Sequence, residues 1–97
     1  MRVVWTVPAL NRLDEIQTYI AEKSPAAAYR VVRRIYSRTE QTLSANPFAG
    51  RRGRREPTRE FVLSDLPYIV VYRVGEQMDV LDVVHTARDW PESFGDG

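Results

Sequence analysis

Between Arg51 and Arg59 the chain places five arginines, Arg51, Arg52, Arg54, Arg55 and Arg59, in nine residues that also contain Gly53 and Pro57. A guanidinium is a planar fork suited to a carboxylate or a phosphate, so this segment is expected to grip an anion. Glu60 follows directly and is the one obvious general-base candidate near these cations; an ion pair is its plainer reading. The single histidine, His85, has Arg88 three residues on. An imidazole there can donate a proton and the arginine can hold a phosphate, but a lone histidine ending a strand is more often a hydrogen-bonded structural residue. Arg88 can equally pair with Asp82 or Asp89. Tyr68 and Tyr72 share a strand face and read as packing, as do Trp5 and Trp90, although an exposed Trp90 would anchor a partner well.

The charge is unevenly spread. Residues 27 to 59 hold nine arginines against Glu40 and Glu56, a balance of +7, whereas residues 60 to 97 hold eight acidic residues against Arg73 and Arg88, a balance of −6. Lys23 is the only lysine among fourteen basic residues. The middle block therefore calls for an anionic partner, either an acidic polypeptide or nucleic acid, with salt-sensitive contacts in the second case. The binding candidates are Arg30, Arg34, Arg51, Arg52, Arg54, Arg55, Arg59 and Trp90. With no cysteine and one histidine, thiolate chemistry, disulfides and Cys- or His-rich metal centres are excluded, and no cofactor or metal is expected. The opening MRVVWTVPAL has no continuous apolar run and no window approaches a membrane span, so the reading places the protein in the cytoplasm.

Ninety-seven residues suit a single domain, expected over 1–97 with a flexible tail from about 92 to 97. Residues 2 to 5 read as a short strand. Thr6 as cap and Pro8 in the first turn then start a helix whose Ala9, Leu13, Ile16 and Ile20 form an apolar stripe. Ser24-Pro25 repeats the start signal, so a second helix follows almost without a linker. Its buried stripe is expected to be Ala28, Val31, Val32, Ile35, Thr39 and Leu43, with Arg30, Arg33, Arg34 and Ser37 opposite and Arg38 flanking. Asn46-Pro47 stops it. Phe61 and Leu63 share one parity of the next strand. YIVVYRV (68–74), apolar on both parities, reads as an interior strand. Gly75-Glu76-Gln77 turns the chain into MDVLDVVH (78–85), where Asp79, Leu81, Val83 and His85 alternate against Met78, Val80, Asp82 and Val84. Trp90-Pro91 is expected to return to the sheet. The order β-α-α-β-β-β gives an α+β domain, a helical hairpin on one face of a mainly antiparallel sheet, with room for the first strand beside the last.

Five features in this order carry a family resemblance: the strand-helix-helix opening, Asn-Pro-x-x-Gly-Arg (46–51), Thr-Arg-Glu (58–60), Pro-Tyr-x-x-x-Tyr (67–72) and His-x-Ala-Arg-x-Trp-Pro (85–91). Together they resemble the ParE/RelE superfamily of bacterial type II toxin–antitoxin toxins, in wording closest to its ParE-like branch. The resemblance implies a toxin that arrests growth by inhibiting DNA gyrase and is neutralised by a cognate antitoxin. The RelE-like branch instead implies a ribosome-dependent mRNA endonuclease, metal-independent, for which Arg59, Glu60, His85 and Arg88 are the catalytic candidates. Such cleavage requires acid, base and cationic groups to converge on one phosphate. Here Phe61-Val62-Leu63 is apolar where that branch places a catalytic arginine, and Trp90-Pro91 replaces its terminal Tyr or His-Tyr. The reading therefore favours a binding toxin over an enzyme. A third possibility is a regulator of the same fold that only binds an antitoxin or DNA.

Overall fold

A computed structural model describes residues 1–87. Its elements run β1 (Val3–Trp5), α1 (Val7–Ala21), α2 (Pro25–Ala45), β2 (Arg51–Arg52), β3 (Thr58–Val62), β4 (Tyr68–Val74) and β5 (Met78–His85). Arg88, Trp90-Pro91 and the expected tail lie outside the described residues.

Both helices start where short polar side chains can take up free backbone N–H groups. The Thr6 hydroxyl accepts from Ala9 and the Ser24 hydroxyl from Ala27, each with a proline in the first turn. Thr6 also donates to the Val80 carbonyl at 2.7 Å, which ties the start of α1 to the sheet. α2 ends at Asn46, because Pro47 cannot continue it and the Asn46 side chain instead accepts the Phe48 N–H at 3.2 Å.

The sheet order is β1-β5-β4-β3-β2, with β1 parallel to β5 and every other pair antiparallel. The first strand thus lies beside the last. The stripe on α1 (Ala9, Leu13, Ile16) and Ile35 of α2 form one buried cluster with Leu63, Tyr68, Val70, Val80 and Val83 of the sheet side. Leu43 of α2 continues it against Tyr72 and Met78. Val31, Val32 and Ile20 are only partly buried at its margin. β4 is buried on both parities from Tyr68 to Tyr72, as an interior strand should be. Among the described residues no helix is long and apolar enough to cross a membrane.

Two features depart from the sequence reading. The arginine segment contributes a two-residue strand, β2, paired to β3 through Arg51↔Glu60 and Arg52↔Arg59. The strict alternation expected along β5 is also broken: Val71 pairs with Asp82 but Tyr72 with Val80, leaving Leu81 as the extra residue of a β-bulge. An extra residue inverts the parity of all that follows, so Val80 and Val83 both face the helices. The bulge is held by Asp82, whose carboxylate accepts the Val83 N–H at 2.7 Å and pairs with Arg12 at 2.9 Å. That hydrogen bond, outweighing the effect of burial, raises the Arg12 guanidinium above its ordinary pKa.

Candidate functional site

The arginine segment is a braced turn, not a loose loop. The fully buried Tyr72 accepts the Gly50 N–H at 2.9 Å through its hydroxyl and donates to the Pro47 carbonyl at 2.8 Å. Arg59, its cross-strand neighbour, donates to the Gly50 carbonyl at 2.6 Å and lies over the Phe48 ring at 5.1 Å. A Cβ on Gly50 would come within 2.7 Å of both the Tyr72 hydroxyl and the Glu60 carbonyl oxygen. Further along, Gly53 donates to the Thr58 carbonyl at 2.8 Å, and a Cβ there would meet the same oxygen at 2.7 Å. Both glycines thus serve close backbone approach and fix the segment.

Glu60 organises the cations from beneath. It is 3% exposed, and its Oε1 accepts from Arg51 Nη2 at 3.0 Å and Nε at 3.2 Å, while Oε2 accepts the Arg54 N–H at 3.1 Å. An ion pair is therefore its role, with Arg51 across the ladder and not with the adjacent Arg59. Arg51 still has 60% of its side chain exposed, so its outer edge can meet an anion. Arg52 projects into solvent with Glu56 at 3.9 Å, and Arg55 is exposed.

On α2 the arginines divide. Arg34 and Arg38 clasp the two oxygens of Asp65, each at 2.5 Å. Partial desolvation pushes that carboxyl up, but a backbone hydrogen bond and the Arg38 and Arg34 contacts outweigh it and hold the pKa below the ordinary carboxylate value. Arg30 and Arg33 have no carboxylate in reach among the described residues; Arg33 donates to the Tyr29 hydroxyl at 3.3 Å. They border a shallow groove with Tyr29, Val31, Asp65 and Leu66.

Among the described residues, the nuclease candidates Arg59, Glu60 and His85 are not brought together. His85 pairs with Tyr68 across the ladder, meets its ring edge-on at 5.3 Å and accepts the Ala87 N–H on Nδ1 at 3.1 Å. Tyr68 and its partner face the helices, whereas Glu60 pairs with Val71, whose position on β4 points to the other side. Glu60 and His85 are thus on opposite faces of the sheet. Two strand spacings and three residues along β4 put their Cα atoms roughly 14 Å apart. Arg59 is engaged with the Gly50 carbonyl, and Arg88 lies outside the described residues, as does Trp90. Among the described residues no group of three or more His, Asp or Glu is placed to hold a metal ion.

Sequence reasoning missed Tyr72 as the brace and Asp65 as the arginine acceptor. A buried tyrosine needs a partner for its hydroxyl, which was a usable signal for Tyr72. Asp65 meets arginines 31 and 27 positions earlier, a contact no local pattern reveals.

A family model described as "ParE toxin of type II toxin-antitoxin system, parDE" matches residues 3–90. The chain is 46% identical over 91 residues to "Putative toxin Y4kP" of Sinorhizobium fredii, covering 94% of each chain. It is 34% identical over 88 residues to "Toxin RelE2" of Caulobacter vibrioides, covering 90% of this chain and 97% of that one. A solved structure described as "Chromosomal ParDE TA system from P. aeruginosa" superposes with a TM-score of 0.75 at 28% identity, over 88% of this chain and 95% of the other.

Proposed function

Because the chain belongs to the ParE toxin family of type II toxin–antitoxin systems, we propose that it acts by binding its target, DNA gyrase, and is held inactive by a cognate antitoxin. The observation that carries this reading is Glu60. The one general-base candidate beside the arginines is 3% exposed and already accepts from Arg51 and Arg54, so it has no free edge for a substrate hydroxyl. A base must reach the proton it removes, and the acid candidate His85 projects from the opposite face. What remains is a fixed array of half-exposed guanidinium groups, which suits recognition of carboxylates or phosphates without bond cleavage.

The antitoxin partner is inferred from the family and from the ParDE system that the fold resembles. The similarity to a protein described as RelE2 favours a second reading, ribosome-dependent mRNA cleavage. Induction of the protein without antitoxin separates the two. Gyrase inhibition predicts filamented cells and a DNA-damage response while translation at first continues. Arrest of protein synthesis within minutes, with messages cut at ribosomal positions, would instead establish the nuclease.

A further inference from the structure

The arginine segment sits on an edge strand. β2 is last in the sheet order, and its two side chains leave it on opposite sides, Arg51 with Glu60 and Arg52 with Arg59. The turn that follows adds Arg54 and Arg55. Guanidinium groups thus lie around the end of a hairpin, with 60%, 85% and 49% of the Arg51, Arg52 and Arg54 side chains exposed. Residues 51–60 carry five arginines against Glu56 and Glu60, a balance of +3, and no large apolar side chain. The backbone beneath is fixed. The Thr58 N–H donates to the Arg55 carbonyl at 2.7 Å, the Thr58 hydroxyl donates to the same oxygen, and the Gly53 N–H closes on the Thr58 carbonyl at 2.8 Å.

We propose that this β2–β3 turn docks on the phosphate backbone of duplex DNA, without regard to base sequence. The site's role in toxicity rests on the gyrase reading above, which it deepens: the toxin meets gyrase where that enzyme holds DNA. Two observations select phosphates over the carboxylates of an acidic polypeptide. The first is charge density. Arg51 to Arg55 spans at most roughly 17 Å, and over that length a duplex presents on the order of ten charges. An extended peptide of equal length has about five residues, with successive side chains on opposite sides. The second is the missing apolar anchor. Polypeptide partners draw most of their affinity from buried aromatic and aliphatic groups, and exposed ion pairs add little. From Arg51 to Glu60 this chain offers no such group a place to pack. A duplex needs none, because counterions released from its phosphates drive the binding. A turn already held by Tyr72, Glu60 and Thr58 also loses little freedom on engagement.

The test measures binding of the full-length chain to two labelled DNA duplexes of unrelated sequence, by fluorescence anisotropy between ~50 and ~200 mM salt. Phosphate contacts from Arg51, Arg52 and Arg54 predict a slope of log affinity on log salt of about −3, equal for both sequences. Arg52→Ala with Arg54→Ala leaves Arg51 on Glu60 and is expected to bring the slope to about −1, with binding at least about tenfold weaker at the low-salt end. Arg30→Ala with Arg33→Ala makes the same charge change on α2, and Phe48→Ala removes a 62% exposed ring beside Arg59. Both controls are expected to keep the slope and to stay within about threefold of the parent's affinity. Circular dichroism confirms that each variant is folded. No binding to either duplex at the low-salt end overturns the proposal, as does a slope that folded Arg52→Ala/Arg54→Ala leaves unchanged. An equal loss in the α2 control reduces the effect to net charge and overturns it too. A labelled polyglutamate peptide that binds the parent more tightly than the duplex, or an equal loss in Phe48→Ala, makes the turn a polypeptide site instead. A parent that binds the duplex but does not inhibit gyrase brings down the gyrase reading and leaves the docking site in place. A variant that has lost duplex binding yet inhibits gyrase as the parent does overturns the role given to the site.

Discussion

At the scale of single residues, two side chains decide what the arginine segment can do. Tyr72 satisfies both a donor and an acceptor of the turn that launches β2, so Tyr72→Phe leaves the Gly50 N–H buried without its acceptor. The expected cost is about 1–3 kcal/mol, measured by urea denaturation. A variant as stable as the parent would mean that the turn is not braced from β4. Asp65 and Asp79 are both held below the ordinary carboxylate range. For Asp65 the hydrogen bonds and arginines overcome desolvation; for Asp79 the Arg73 and Gln77 contacts come first. A depressed folded pKa stabilises the fold above the unfolded value near ~4, and that stability is lost as pH falls through the folded pKa. Urea midpoints should therefore hold from pH 7 to about 5 and decline below about 4. Asp65→Asn should show a shallower acid decline than the parent, and an identical decline would remove Asp65 from the account. For Tyr72 the signal in the sequence was only that a buried hydroxyl needs a partner, not which one, and for Asp65 there was none, because both meet partners 22 and more positions away.

The elements were readable to the extent that their signals are local. Thr6, Ser24, Pro8 and Pro25 mark the helix starts, and an apolar period of 3.6 marks their inner faces, so both helices follow from neighbours within a few residues. Leu13→Asp or Ile35→Asp puts an unpaired charge between hairpin and sheet and should abolish cooperative folding. Asp14→Lys, on the exposed side of α1, should melt with the parent in circular dichroism. A stable Leu13→Asp would contradict the register of α1. β2 was not readable, since two arginines become a strand only by pairing with β3. Nor was the bulge at Leu81, which no glycine or proline announces. The candidate site suffered most from this kind of blindness. Neighbours in sequence such as Arg59 and Glu60 are directed to opposite faces, and whether His85 joins either of them depends on the register of β4 with both neighbouring strands.

For the whole molecule, the sheet separates the groups that a metal-free nuclease must bring together and leaves an arginine-rich surface whose internal carboxylates keep it ordered. That arrangement is the basis for reading the protein as a toxin that binds. Effects on toxicity should follow surface charge and not proton-transfer chemistry. His85→Gln keeps a polar side chain but cannot donate a proton as an imidazolium. A general-acid role would cost on the order of a hundredfold in rate with the fold intact. The most direct measurement sets the purified parent and His85→Gln side by side in a DNA gyrase supercoiling assay and in a translating-ribosome mRNA cleavage assay. The binding account predicts that both proteins inhibit supercoiling to the same extent and that neither cuts mRNA. Cleavage of ribosome-bound mRNA by the parent, lost in folded His85→Gln while supercoiling is untouched by either, would contradict it.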